Sequence, residues 1–289
     1  MNVKQRLLEA GFARVVALDA AEAGVPDANG TLLLAFWPYQ AEREPDAAGA
    51  WIHPYYDASQ RAYQAAKQAV SDAKQAGVSV ELRDDIRVKP IFARMPGYTQ
   101  GRNTLTYAPD YGSRFHVQII LLDERMEPDL HLARQPHPLH CGDCTRCMDA
   151  CPTRAIDEQG YHRERCLRNW QLTGAPVPEE LRSAMGNRLL GCDECQRCCP
   201  HNPAPQGEAV APVSLSALLD RTKETCGALR ERIGTNLAIP NRVLAQACQL
   251  AGNSGDESLA DSLHALTQHP SPLVREHAAW AVGAAEKQE

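Results

Sequence analysis

The chain has 289 residues, of which 44% are hydrophobic and 23% charged, and its net charge is −6. That length allows two or three domains with cores of their own, and the acidic balance is the wrong sign for a chain that binds nucleic acid over its whole surface. No run approaches the roughly 18 apolar residues of a membrane span, and residues 1–23 mix acids with short apolar runs unlike a signal peptide, so a cytoplasmic protein with reduced thiols is expected.

Residues 2–10 are expected as a short helix, with Val3, Leu7 and Leu8 on one face and Gly11 as its stop. Residues 13–18 and 31–37 are apolar runs of strand length, and 38–54, with Pro, Gly and charges, are expected as a loop. Residues 56–76, rich in Ala, Gln and Lys, predict a long helix ended by Gly77, and 78–82 alternate as a half-buried strand does. Two more strands, 103–107 and 115–122, flank a Pro109-Asp110-Tyr111-Gly112 turn, which predicts a hairpin over 103–117. Residues 1–130 are therefore expected as an α/β domain. A linker bearing His131, His137 and His140 follows and is read as solvated.

Nine of the eleven cysteines fall in 141–200. Cys141, Cys144, Cys147 and Cys151 before Pro152 have the C-x2-C-x2-C-x3-C-P spacing of bacterial ferredoxins, in which the fourth Cys serves the other cluster. Cys192, Cys195 and Cys199 before Pro200 form a close variant. The spacing assigns Cys141, Cys144, Cys147 and Cys199 to one [4Fe–4S] cluster, and Cys151, Cys192 and Cys195 to a second. The fourth position on the second cluster is open to Cys166 or Cys198. Zinc would need only two Cys pairs, and disulfides do not suit a reducing compartment. Residues 131–205 are thus expected as a double [4Fe–4S] ferredoxin-like domain. Its stretch 141–200 carries eight Arg, no Lys and nine acids; the Arg suit cluster charge, phosphate groups or ion pairs with those acids.

Residues 166–192 form a polar, helical insert ending in Gly186-Asn187-Arg188. Beyond a Pro-rich stretch to Pro212, helices are expected at 213–220, 222–232, 240–250, 257–268 and 272–284. The last reads like the second helix of a HEAT repeat, which cannot bury its face alone. Residues 206–289 are therefore a helical HEAT-like tail, and the chain as a whole is α+β.

Together the front domain, the double cysteine motif with its inserted Cys, and the helical tail resemble the epoxyqueuosine reductase family. The resemblance is carried by Gly101-Arg102-Asn103-Thr104, Pro109-Asp110-Tyr111-Gly112-Ser113, Met126-Glu127-Pro128-Asp129, the run from His140 to Thr153, and the run from Met185 to Gln196. It implies a cobalamin- and iron–sulfur-dependent enzyme that removes the epoxide oxygen of epoxyqueuosine in tRNA. It also implies that Cys166 completes the second cluster, leaving Cys198 as an extra thiol. Cobalamin contacts are implied at Thr106, Tyr111, Gly112, Ser113 and Val117, and near Arg168 and Asp193. Such an enzyme passes single electrons from the clusters to cobalt, and a carboxylic acid with a raised pKa supplies a proton.

The sequence departs from the family where that acid should stand. The usual Asp-Thr-Gly/Ser-Pro run is replaced by Arg83-Asp84-Asp85-Ile86-Arg87-Val88-Lys89-Pro90. Asp85 is the favoured acid, as the nearest carboxylate before Pro90, with Asp84 the other choice. The tail from His201 nets −3, a weak footprint for tRNA. A two-cluster electron-transfer protein and a corrinoid reductase are the alternative functions. A monomer is expected, served by a low-potential donor such as ferredoxin or flavodoxin.

Overall fold

The structure is a computed structural model that describes residues 2–26, 29–39, 49–137, 141–204 and 211–285. His140, loop residues 40–48 and the expected boundary at 205–206 lie outside the described residues. In chain order the front half gives α1 (Val3–Glu9), β1 (Arg14–Asp19), β2 (Thr31–Pro38), β3 (Trp51–Ile52), α2 (Pro54–Gln75), β4 (Val80–Arg83), α3 (Val88–Phe92), β5 (Thr99–Gln100), β6 (Thr106–Tyr107) and β7 (Phe115–Leu122). The rest gives α4 (Arg146–Asp149), β8 (Ile156–Asp157), β9 (Gly160–Tyr161), α5 (Leu167–Leu172), α6 (Glu179–Arg182), β10 (Arg188–Leu190), α7 (Glu194–Arg197), α8 (Leu215–Leu219), α9 (Lys223–Ile233), α10 (Pro240–Ser254), α11 (Ala260–Leu266) and α12 (Pro272–Ala285).

The chain divides into two compact units. The first comprises Met1–Gln40, Asp57–Cys144 and Cys199–Ala204; the second comprises Ala41–Tyr56, Thr145–Cys198 and Pro205–Glu289.

The first unit is built on one sheet of order β1-β2-β7-β4, antiparallel at every pairing. Strand β2 reads as an unbroken apolar run because both its faces are covered. Leu33 and Ala35 pack with Ile120, Leu122 and the Ala62, Ala66, Ala69 and Ala73 stripe of α2. Alanines at that spacing put one smooth face of the helix against the sheet. Leu32, Leu34 and Phe36 face the other way, onto Phe92, Met95, Tyr98 and Phe115.

Two expectations are corrected here. Residues 103–107 and 115–122 are not hairpin partners: β6 pairs with β5, Thr99 opposite Tyr107. Both edges of β7 are already taken, by β2 and by β4, so none is left for β6. The Pro109–Gly112 turn does form, closed by an Ala108–Gly112 bridge. The expected loop 38–54 contains β3, which pairs in parallel with β10 in the second unit. A two-residue strand has too little periodicity to be seen in sequence.

The second unit is mostly helical. Leu244, Leu250 and Ala251 of α10 pack with Val274, Ala278 and Ala281 of α12. A Cβ on Gly252 would lie 2.7 Å from Ala281 Cα, so the two helices touch through glycine. The expected helix 257–268 is a 3-10 turn, Glu257–Leu259, running into α11. Among the described residues no helix is long and apolar enough to cross a membrane.

Candidate functional site

In the second unit the cysteines from Cys147 to Cys198 sit on or at the ends of short helices. Cys147 lies on α4, Cys166 immediately precedes α5, and Cys192 and Cys195 bracket the start of α7. Burial is the main influence that holds the Cys195 thiol well above its usual value, and the neighbouring Cys192, Cys166, Cys151 and Cys147 add to it. These four cysteines therefore stand near Cys195. Burial likewise pushes Cys192 up to about 11, opposed by the nearby Arg188 guanidinium. Neighbouring thiols whose ionisation is disfavoured in this way suit a cationic centre that binds them as thiolates. Among the described residues no group of His, Cys, Asp or Glu could hold a single metal ion. Among the described residues no disulfide is formed.

The backbone near these thiols is closely held. The Ala155 N–H points at Cys151 Sγ at 3.2 Å. Gln171, on the helix that starts after Cys166, is fully buried. Its amide donates to the Arg188 carbonyl at 2.9 Å and its side-chain oxygen accepts the Gly191 N–H at 2.6 Å. Gln246 donates to the Gln171 carbonyl at 2.8 Å. Arg188 adds bonds to the Ala184 and Met185 carbonyls and to Glu194, so its side chain fastens the strand before Cys192 to the helix carrying Cys195. His53, also buried, accepts the Tyr55 N–H at Nδ1 at 3.0 Å and places Nε2 3.1 Å from Gln196 Oε1. That arrangement puts the ring proton on Nε2.

Arg168 lies beside Tyr55, Tyr56 and Cys166, and its positive charge counters the rise that burial gives both phenols. Asp193 is buried at the N-terminus of α7. Tyr161 stands next to Cys166, with its hydroxyl pushed upward chiefly by burial and then by that cysteine.

In the first unit Cys141 and Cys144 share a turn, with the Cys144 N–H on the Cys141 carbonyl at 2.9 Å. The Arg102 N–H donates to Cys141 Sγ at 3.2 Å. Thr106, Tyr111 and Val117 are half-buried, whereas Gly112 and Ser113 are buried. Gly112 has φ +56, and a Cβ there would lie 2.3 Å from Asn202 Oδ1. That same oxygen accepts from the Ser113 N–H at 2.7 Å and the Ser113 hydroxyl at 3.0 Å. Gly112 and Ser113 therefore face the segment after Cys199, while Thr106, Tyr111 and Val117 keep open faces.

Asp85 does not have the environment expected of a proton donor. It is exposed, and Arg83 grips it with two bonds at 2.8 and 2.6 Å. The Arg83 guanidinium holds its carboxyl below the usual range, not above it. Asp84 is exposed as well. The buried Gln171 and His53 and the half-buried Asn202 were not found from sequence, because a polar side chain carries no periodic signal of burial.

Comparison with known proteins agrees with this geometry. Residues 140–202 match the model of a 4Fe-4S double cluster binding domain. Epoxyqueuosine reductases are similar in sequence: that of Alicycliphilus denitrificans is 34% identical over 63% of this chain and 55% of its own length. That of Escherichia coli is 33% identical over 71% of this chain and 57% of its own, and that of Bacillus subtilis 30% over 63% and 49%. The chain thus spans about half the length of the curated relatives it matches. Solved epoxyqueuosine reductases share the fold. One bound to an epoxyqueuosine-modified tRNA-Tyr stem loop has TM-score 0.74 at 21% identity, covering 98% of this chain and 91% of that one. The Streptococcus thermophilus structure has TM-score 0.76 at 18% identity, covering 99% and 90%. A Bacillus subtilis structure, with an aspartate-bearing catalytic loop swung out of the active site, has TM-score 0.71 at 22% identity, covering 98% and 91%. This chain resembles the epoxyqueuosine reductases in sequence, has their fold, and carries an iron–sulfur binding domain.

Proposed function

We propose that this chain is a cytoplasmic iron–sulfur and cobalamin-dependent oxidoreductase that deoxygenates epoxyqueuosine in tRNA. The observation that carries the reading is that Cys192, Cys166, Cys151 and Cys147 all bear on Cys195, within the stretch that matches a double-cluster domain. Of these, Cys151, Cys166, Cys192 and Cys195 would hold one [4Fe–4S] cluster, and Cys147 would join Cys141, Cys144 and Cys199 on the other. Residues 1–130, 131–205 and 206–289 are the cobalamin-binding, cluster-binding and HEAT-like parts.

Thr106, Tyr111 and Val117 offer the open faces on which cobalamin would rest, with Gly112 and Ser113 shaping the turn beneath; Arg168 and Asp193 serve the same ligand. Bound there, cobalamin would supply a cobalt centre that accepts single electrons. Opening the epoxide to an alkene and water consumes two electrons and two protons. The electrons come from a low-potential donor such as ferredoxin or flavodoxin.

Asp85 is the proposed proton donor. Its pairing with Arg83 is then a resting arrangement, released when the loop closes. A swung-out catalytic loop in the Bacillus subtilis relative supports such movement. The exposed position of Asp85 also favours a second reading, a corrinoid reductase that needs no acid. The test is conversion of epoxyqueuosine-containing tRNA by the reconstituted chain with a chemical reductant. Formation of queuosine supports the first reading, and cobalt reduction without queuosine supports the second.

A further inference from the structure

The segment 101–114 was singled out by its sequence, yet much of it touches no substrate in the reading above. Its contacts within the first unit run toward the cysteine segments instead. Residue 102 makes two bonds to the Cys141 turn: its backbone N–H to Cys141 Sγ at 3.2 Å, and the Arg102 guanidinium to the Gly142 carbonyl at 3.2 Å. The loop that presents Arg102 is held by hydrogen bonds. Asn103, 5% exposed, donates to the Tyr107 hydroxyl at 2.8 Å and accepts the Leu105 N–H at 3.2 Å. Thr104 is held at φ +62, a conformation that costs a non-glycine residue, and Lys89 fixes its carbonyl at 2.8 Å. Strain of this kind persists only where the surroundings over-determine it.

The other end of the same segment grips the chain just after Cys199. Asn202 Oδ1 takes both the N–H and the hydroxyl of Ser113. Arg114 donates to the Pro203 carbonyl at 2.8 Å, and the Tyr107 ring meets His201 edge-on at 5.8 Å. Gly112 leaves room for this contact that no side chain could.

We infer that residues 101–114 are the outer shell of the first cluster, with Arg102 positioning Cys141 and Asn202, docked on Ser113, positioning Cys199. Partners that orient ligands in this way commonly govern metal affinity by about 10- to 100-fold. The inference rests on the two-cluster reading, and the test separates the two. The full chain is reconstituted anaerobically, and iron release to a chelator is followed for wild type, Arg102→Ala, Asn202→Ala and Asn202→Asp. Wild type with about eight irons supports the two-cluster reading; wild type without them overturns it. Arg102→Ala keeps the backbone N–H on Cys141 Sγ and removes the guanidinium bond to the Gly142 carbonyl; given eight irons, about four are expected to leave roughly tenfold faster in it and in Asn202→Ala, while the other four keep the wild-type rate. Asn202→Asp, which retains the accepting oxygen, is expected to restore the slow rate. Equal acceleration of all eight irons, or no acceleration in either alanine variant, overturns the inference. Should Asn202→Ala fail to fold, Arg102→Ala, a change at a half-exposed side chain, decides the question.

Discussion

The side-chain oxygen of Gln171 accepts the Gly191 N–H at 2.6 Å, and neither group has access to water. Through this bond the helix after Cys166 holds the residue before Cys192. Gln171→Leu leaves the Gly191 N–H and the Arg188 carbonyl buried without this partner. A loss on the order of 3 kcal/mol is expected, at about 1–3 kcal/mol for each abandoned group. Gln171→Glu keeps the acceptor and loses the donor, so its unfolding midpoint is expected between those of wild type and Gln171→Leu. Thermal unfolding of the iron-free chain measures both, and a Gln171→Leu midpoint equal to wild type would show that the bond contributes nothing.

Gly191 itself tolerates no side chain. It has φ +91, and a Cβ would lie 2.4 Å from His53 Cβ and 2.9 Å from the Tyr56 ring. Gly191→Ala combines left-handed strain with overpacking, each costing about 1–3 kcal/mol. The expected outcome is a lower unfolding midpoint with about half of the iron lost on reconstitution. Retention of full iron and midpoint would contradict the placement of this turn.

Much of this was legible in the sequence. Strands β1, β2, β4 and β7 and the long helix α2 follow from unbroken or alternating apolar runs, and the cysteine spacings alone identified the binding segment. What escaped was pairing, not propensity. Nothing in 103–107 says that β6 turns back to Thr99 and Gln100, because that depends on the edges of β7 being taken by strands distant in sequence. Asp85 escaped for a related reason: Arg83 is visible in the sequence, but the two bonds by which it lowers the proton affinity of Asp85 are not.

Acid should destabilise the first unit through His116. Burial pushes its imidazole down to about 4, and the Gln118 amide stands 2.9 Å from Nε2, where it meets the lone pair of the neutral ring. The unfolded chain binds a proton near 6.5, whereas the folded chain resists until about 4. Stability is therefore complete above 6.5 and falls as pH drops from 6.5 toward 4, by on the order of 3 kcal/mol at most. His116→Gln should flatten that part of the curve. An unchanged slope in urea unfolding between pH 7 and pH 4.5 would assign the acid sensitivity elsewhere.

Asp85→Asn separates catalysis from structure. The pair with Arg83 is exposed, so the unfolding midpoint and iron content should not change. Loss of a general acid lowers turnover by about 10²–10⁴-fold, while reduction of cobalt continues. Wild-type turnover in Asp85→Asn would remove Asp85 from the mechanism.

The most direct test of the account is a metal count after anaerobic reconstitution with iron, sulfide and cobalamin. Two [4Fe–4S] clusters and one corrinoid predict about eight irons and about one cobalt per chain. Eight irons without cobalt would contradict the cobalamin-dependent reductase and leave an electron-transfer protein, and zinc in place of iron would contradict the whole reading of residues 141–200.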